Sequence, residues 1–293
     1  MPAGTVDGVG GGDHEQLGLD LLDPAFAPQA LHRVTPARLA TWAACPRRYR
    51  LLYLDRPAPP RGGAWAHTTL GAVVHLALRA LFELAPSRRS QELAAALVDR
   101  NWSDEGFRDA AQSSAYRAMA RDWVAAIAAG PDGATEPVAL ERRVSEPVGT
   151  MLVEGRIDRV DARDGESVVV DYKTGRVPTP ERARDSQALA LYALAAGPAL
   201  RRPCHRVELH HVPTGEVAAW DHDDGSLREH RDRAERQAAD VDAAAAALDE
   251  GGDPDALFGV VTGAHCGTCP VRRNCPEGRA AAPEPPSWAL LPS

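Results

Sequence analysis

The chain has 293 residues, 44% of them hydrophobic and 25% charged, an ordinary make-up for a globular protein built on one large domain. No apolar run approaches the ~18 residues of a membrane-spanning helix and no basic-then-apolar leader opens the chain, so the expected setting is cytoplasmic, without a membrane partner. The formal charge of −8 excludes only a uniformly basic surface, because Asp7, Asp13, Glu15, Asp20 and Asp23 crowd a stretch that has no Lys or Arg.

Residues 1–30, rich in Gly, Asp and Ala and without periodicity, are expected to be a disordered tail. Thr35-Pro36 then reads as the N-cap and first position of a helix through Tyr53, interrupted by Pro46 just after Cys45. A second helix is predicted over about 68–84, with Leu70, Val73, Val74, Ala77, Leu78 and Leu81 on one face. Residues 90–128 carry one or two more helices. The texture changes at Val138, where 138–144 and 150–160 read as strands. The Asp164-Gly165 turn leads into the β-branched run Val168-Val169-Val170. A helix over 183–196, a strand over 206–212 and a polar helix over 227–248 follow. This order predicts an α/β core with helices on the faces of its sheet. Residues 281–293, rich in Ala and Pro, read as a second loose end.

Arginine clusters stand out: Arg47, Arg48 and Arg50; Arg88 and Arg89; Arg142 and Arg143; Arg272 and Arg273. Such patches, rather than net charge, decide contact with phosphates. Of the 33 basic residues only Lys173 is a lysine, a compact point charge where arginine presents a planar fork. Lys173 follows Asp171 by two residues on one predicted strand, so the two side chains share a face. Asp158 lies on the partner strand of the hairpin, where its carboxylate can meet that of Asp171. Two carboxylates brought together call for a cation between them, and all-oxygen ligation suits Mg²⁺ or Mn²⁺. A charged pair at the end of a buried strand favours a catalytic centre over a solvated surface hairpin.

Gly155-Arg156-Ile157-Asp158-Arg159-Val160 and Val170-Asp171-Tyr172-Lys173-Thr174-Gly175 resemble the two core motifs of RecB-like PD-(D/E)XK nucleases. The resemblance implies a restriction-endonuclease-like core with a mixed central sheet and a helical insertion. It implies Asp158 and Asp171 as metal ligands and Lys173 as the catalytic lysine. Gly71-Ala72-Val73-Val74-His75 resembles the family's Gly-x-x-x-His motif, which makes His75 a further ligand. Glu141, entering the first strand, is a lesser candidate. In place of the family's Gln-x-x-x-Tyr, Gln187 and Tyr192 stand five residues apart, roughly 140° around a helix instead of ~40°. Tyr192 is kept as a DNA-positioning residue and Gln187 is set aside.

Cys266-Gly267-Thr268-Cys269 and Cys275 have metal-ligand spacing, and three thiolates need a fourth ligand. Cys45, in Cys45-Pro46, is the natural fourth, and Cys275-Pro276 repeats the dipeptide. Four such cysteines, one before and three after the core, resemble the iron–sulfur branch of the same nucleases. The implied group is a [4Fe–4S] cluster clasping the chain ends, with a structural Zn²⁺ as the alternative. Cys204 has no partner at useful spacing and reads as a buried small side chain.

The resemblance implies hydrolysis of DNA phosphodiesters by an exonuclease favouring single-stranded ends, in repair, recombination or defence. With one lysine, outside any Gly-x-x-x-x-Gly-Lys-Ser/Thr context, the chain holds no Walker motif, so unwinding would fall to a helicase or other partner. The rival reading is a DNA-binding scaffold subunit that keeps the fold and the cluster without catalysis.

Overall fold

Thr35 caps the first helix as its sequence predicts, its hydroxyl accepting from the Arg38 amide at 3.2 Å, with Pro36 in the first turn. This contact and those below belong to a computed structural model that describes residues 31–292; the expected tail over 1–30 lies outside the described residues. The chain runs β1 (His32–Val34), α1 (Pro36–Ala44), α2 (Pro46–Tyr53), α3 (Ala66–Phe82), α4 (Gln91–Asn101), α5 (Ala110–Ala129) and β2 (Ala139–Val148). It continues through β3 (Met151–Arg163), β4 (Glu166–Lys173), α6 (Pro180–Arg184), α7 (Gln187–Leu200), β5 (Arg206–His211) and β6 (Glu216–Asp221). The last elements are α8 (Asp224–Asp249), α9 (Pro254–Leu257) and α10 (Pro276–Ala281). Cys45 separates α1 from α2 in an extended conformation, and Pro46 opens α2, which is the predicted interruption.

The sheet is mixed, as expected. β2 and β4 pair antiparallel with β3, β1 pairs parallel with β3, β4 and β5 are parallel, and β6 closes the far edge antiparallel to β5. Helices cover both faces. Val160, Val169, Val207 and Leu209 pack with Leu189, Leu191 and Ala193 of α7 and with Leu227 and Ala234 of α8. On the other face, Val168, Val170 and Tyr172 pack with the predicted stripe of α3, from Leu70 to Leu81, and with Val98 and Val124. The alternation of Val168, Val169 and Val170 between the two layers is the strand period at work. Each large apolar side chain buried this way contributes roughly 1.5–3 kcal/mol.

Two features position the site. On the β4 side of β3, β1 occupies Met151–Val153 and β4 occupies Arg159–Arg163, leaving 154–158 without a strand neighbour. Strict alternation also fails at this point. Val160 and Ile157, three residues apart, lie in the same core, and so do Ala139 and Val144, five apart. Between them Glu141, at φ +46°, is the residue opposite Asp158 where pairing skips from Leu140–Arg159 to Arg142–Ile157. A left-handed residue inside a strand costs energy for a non-glycine and reverses the side-chain sequence there.

The C-terminal segment is not the loose end its composition suggested. The Ser287 carbonyl accepts from the Ala66 amide at the start of α3 at 3.0 Å, and its hydroxyl donates to the Gly106 carbonyl at 2.6 Å. Tyr116 of α5 donates to the Pro292 carbonyl at 2.6 Å, and Leu291 packs on the α3–α5 core. Apolar side chains and satisfied backbone groups dock this Pro-rich stretch without regular structure. Cys204 is buried in the main core, as read, and burial pushes its thiol up to about 12.

Candidate active site

The ladder between β3 and β4 ends at Arg159–Val170, so Asp158 and Asp171 are the next opposed residues, where the strands part into a fork. β4 runs on to Lys173 through its pairing with β5. The first backbone amide beyond the ladder, Tyr172 N–H, donates to Asp158 Oδ2 at 3.3 Å instead of to a strand partner. Lys173 and Asp171, both half-exposed, form an ion pair on the face they share.

His75 reaches the fork from α3. Its Nδ1 stands 3.2 Å from Asp158 Oδ2, and its Nε2 stands 3.2 Å from the Tyr172 carbonyl oxygen. Glu141 enters from β2. One ligand atom each from His75, Glu141 and Asp158 lie within 4.8 Å of one another. Glu141, the lesser candidate of the sequence, thus stands beside His75 and Asp158, and its left-handed backbone is the local deviation that accompanies this placement. Asp171 stands outside that close trio and is held by Lys173. On the opposite side of β3, Tyr192 of α7 lies against Gly155, where any Cβ would come within 2.6 Å of its ring. Gln187, by contrast, donates to Gln237 Oε1 at 3.0 Å.

The charges are uneven. Burial opposes ionisation of Asp158, but His75, the Tyr172 amide and Lys173 prevail and hold its carboxyl below the usual range. Burial lifts Asp171 above that range despite Lys173, and Asp158 adds to the effect. Burial works against charge on His75 as well, yet Asp158 raises its imidazole above the ordinary value. The buried oxygens Glu141 Oε2 and Asp171 Oδ2 have no oriented hydrogen bond; each faces only a cation, Arg156 Nε at 2.6 Å and Lys173. Such oxygens at the end of a sheet are poised for a ligand.

Three participants escaped the sequence reading: the two peptide groups of Tyr172, the Arg156 partner of Glu141, and a buried cluster around Arg159. Backbone groups carry no sequence signal. Arg159, however, sits between Ile157 and Val160 on a strand that should be buried, and that position was the available clue.

The second set of candidate ligands also converges. Cys45, Cys266, Cys269 and Cys275 line one cavity, and all four are free thiols. The Val261 amide points at Cys45 Sγ at 3.5 Å, and the Gly278 amide points at Cys275 Sγ at 3.3 Å. A Cβ on Gly278 would stand 3.2 Å from Cys275 Sγ and 3.6 Å from Cys266 Sγ, so the glycine leaves room beside the sulfurs. Both Cys-Pro pairs open helices, α2 and α10.

A family model of the PD-(D/E)XK nuclease superfamily matches residues 33–276. No curated protein matches the chain. Among the described residues no helix is long and apolar enough to cross a membrane.

Proposed function

The chain belongs to the PD-(D/E)XK nuclease superfamily, and on that premise we propose that it is a Mg²⁺- or Mn²⁺-dependent deoxyribonuclease of the RecB-like, iron–sulfur branch. It acts as an exonuclease favouring single-stranded DNA ends in repair, recombination or defence, with unwinding supplied by a partner. The observation that carries the reading is the fork, where His75, Glu141 and Asp158 surround one space with the Tyr172 carbonyl at its side and the Asp171–Lys173 pair adjacent. Nitrogen and carboxylate oxygen donors, with two buried oxygens lacking oriented partners, fit a hard divalent cation.

His75, Asp158 and Asp171 are the proposed ligands, with Glu141 available to complete the set. When bound, the cation polarises a phosphodiester oxygen and makes a water more acidic. Lys173 is placed to stabilise charge growing on the phosphate or to orient the attacking water, while Asp171 keeps its ammonium at the fork. Tyr192 braces the β3 backbone at Gly155 and is the proposed positioning residue for the DNA strand. A scaffold subunit would be expected to lose at least one of these groups, and the complete set favours catalysis.

The four cysteines fit a tetrathiolate group: they share one cavity and carry no disulfide, and Cys45 and Cys275 receive backbone N–H groups suited to negative sulfur. Cys45, Cys266, Cys269 and Cys275 would hold a [4Fe–4S] cluster, or Zn²⁺ in the alternative, as a clasp between the chain ends.

The test is digestion of end-labelled single- and double-stranded DNA with Mg²⁺, Mn²⁺ or EDTA. Activity should require the cation, and Lys173→Ala should lower kcat about 100- to 1,000-fold. If Lys173→Ala and Asp171→Ala both leave digestion intact, the assignment fails. Anaerobically purified protein should be brown and contain iron; a colourless, zinc-loaded protein would overturn the cluster.

A further inference from the structure

Directly behind the fork lies an arginine that solvent does not reach. Arg159 is fully buried, and its guanidinium uses all five of its N–H groups. Nε and Nη2 donate to Asp161 at 2.7 Å each, and Nη1 and Nη2 donate to Asp132 at 2.9 and 2.6 Å. The remaining Nη1 proton goes to the Tyr172 hydroxyl at 3.0 Å. The plane also stacks on Phe82, 4.5 Å from the ring centroid. A buried cation with no donor to spare cannot move without breaking its bonds to two carboxylates.

Tyr172 is therefore held at its far end. Its ring is enclosed by Phe82, His75 and His210, at centroid distances of 6.4, 6.0 and 6.1 Å. At its near end its two peptide groups meet the site, the amide at Asp158 Oδ2 and the carbonyl at His75 Nε2. One residue thus touches two proposed ligands through its backbone while its hydroxyl is anchored to a guanidinium fixed in the core.

We propose that Arg159 and the Tyr172 hydroxyl are positioning residues of the cation site, setting the orientation of Asp158 and His75 through the Tyr172 peptide groups. The inference rests on the reading of the fork as a divalent-cation site. Neither side chain touches the cation or the substrate. Groups that orient ligands in this way typically change metal affinity by about 10- to 100-fold when removed.

Tyr172→Phe deletes one oxygen, keeps the ring and leaves both peptide groups in the chain. Its Mn²⁺ dissociation constant, measured by calorimetry on the full chain, should weaken about 10- to 100-fold. The Mn²⁺ half-saturation of activity should rise with it, while the KM for DNA stays within about twofold, a split that general destabilisation does not produce. Val98→Ala is the control for stability alone. Val98 is fully buried in the same helical layer, and this variant should unfold at a lower temperature yet bind Mn²⁺ like the wild type. Unchanged Mn²⁺ affinity in Tyr172→Phe, or equal weakening in Val98→Ala, overturns the positioning role and leaves the cation site standing. A wild-type protein that binds no Mn²⁺ overturns the cation site itself, and this role with it.

Discussion

Two charged clusters meet at Tyr172, one at its hydroxyl and one at its peptide groups, and they are built on opposite principles. Around Arg159 every donor finds an acceptor. Asp161 and Asp132 take the guanidinium, and Glu208 takes Arg163, Arg206 and His210 at 2.5–3.1 Å. At the fork, oxygens of Glu141 and Asp171 are buried yet face only a cation, and Asp158 and His75 lean on backbone groups. A cluster whose bonds are complete has nothing left to bind, whereas an incomplete one keeps its capacity for a ligand.

The largest expected effect breaks the complete cluster. Arg159→Leu removes the main partner of buried Asp161 and partly buried Asp132 and should cost about 3–5 kcal/mol in urea unfolding. A loss under about 1 kcal/mol would mean that Asp132 and Asp161 find other partners and that the cluster is not closed. The next effect sharpens the contrast from the other side. Mn²⁺ at about 100 times its dissociation constant should stabilise the protein by about 2.7 kcal/mol, and Asp158→Ala should abolish that gain while Gln187→Ala keeps it. Equal gains in all three proteins would place the ion elsewhere.

A smaller effect comes from pH. Burial opposes protonation of His210, but Asp132 and Glu208 raise its pKa above the ordinary value. Its stabilisation is therefore complete below about pH 6.5 and is lost as pH rises through the folded-state value. His210→Gln should be less stable than wild type at pH 5.5, by about the ~1.5 kcal/mol of a charged hydrogen bond. The difference should shrink by pH 8.5, and a gap that widens would reverse the assignment. The smallest effect is expected at Gln187, which is engaged with Gln237 on α8. Gln187→Ala should leave DNA digestion within about twofold of wild type.

Much of the site was legible because strands and helices have short periods. Two-residue spacing placed Asp171 and Lys173 together and cysteine spacing marked a shared cavity, whereas His75 was singled out by its resemblance to a family motif. What stayed hidden depends on departures from those periods. The left-handed turn at Glu141, and the reversal of alternation it brings to β2 and β3, has no signature at a glutamate flanked by Leu140 and Arg142. β1 and β6 were missed for related reasons. Three residues cannot display an alternation, and the Val217-Ala218-Ala219 stretch of β6 lacks the β-branched density of β4. The docking of 287–292 depends on partners more than 170 residues away, at Gly106 and Tyr116, which no local pattern reports.

The pairing of Cys45 with Cys266, Cys269 and Cys275 also sets a schedule. During synthesis Cys45 emerges first, and its three companions follow after the whole fork has been made. At ~5–20 residues per second that interval is on the order of tens of seconds, long compared with the folding of helices and hairpins. A group held by all four sulfurs, as proposed, could therefore be completed only after the chain through Cys275 has been made. On the proposed reading, filling of the cysteine cavity would be the last step in this protein's maturation.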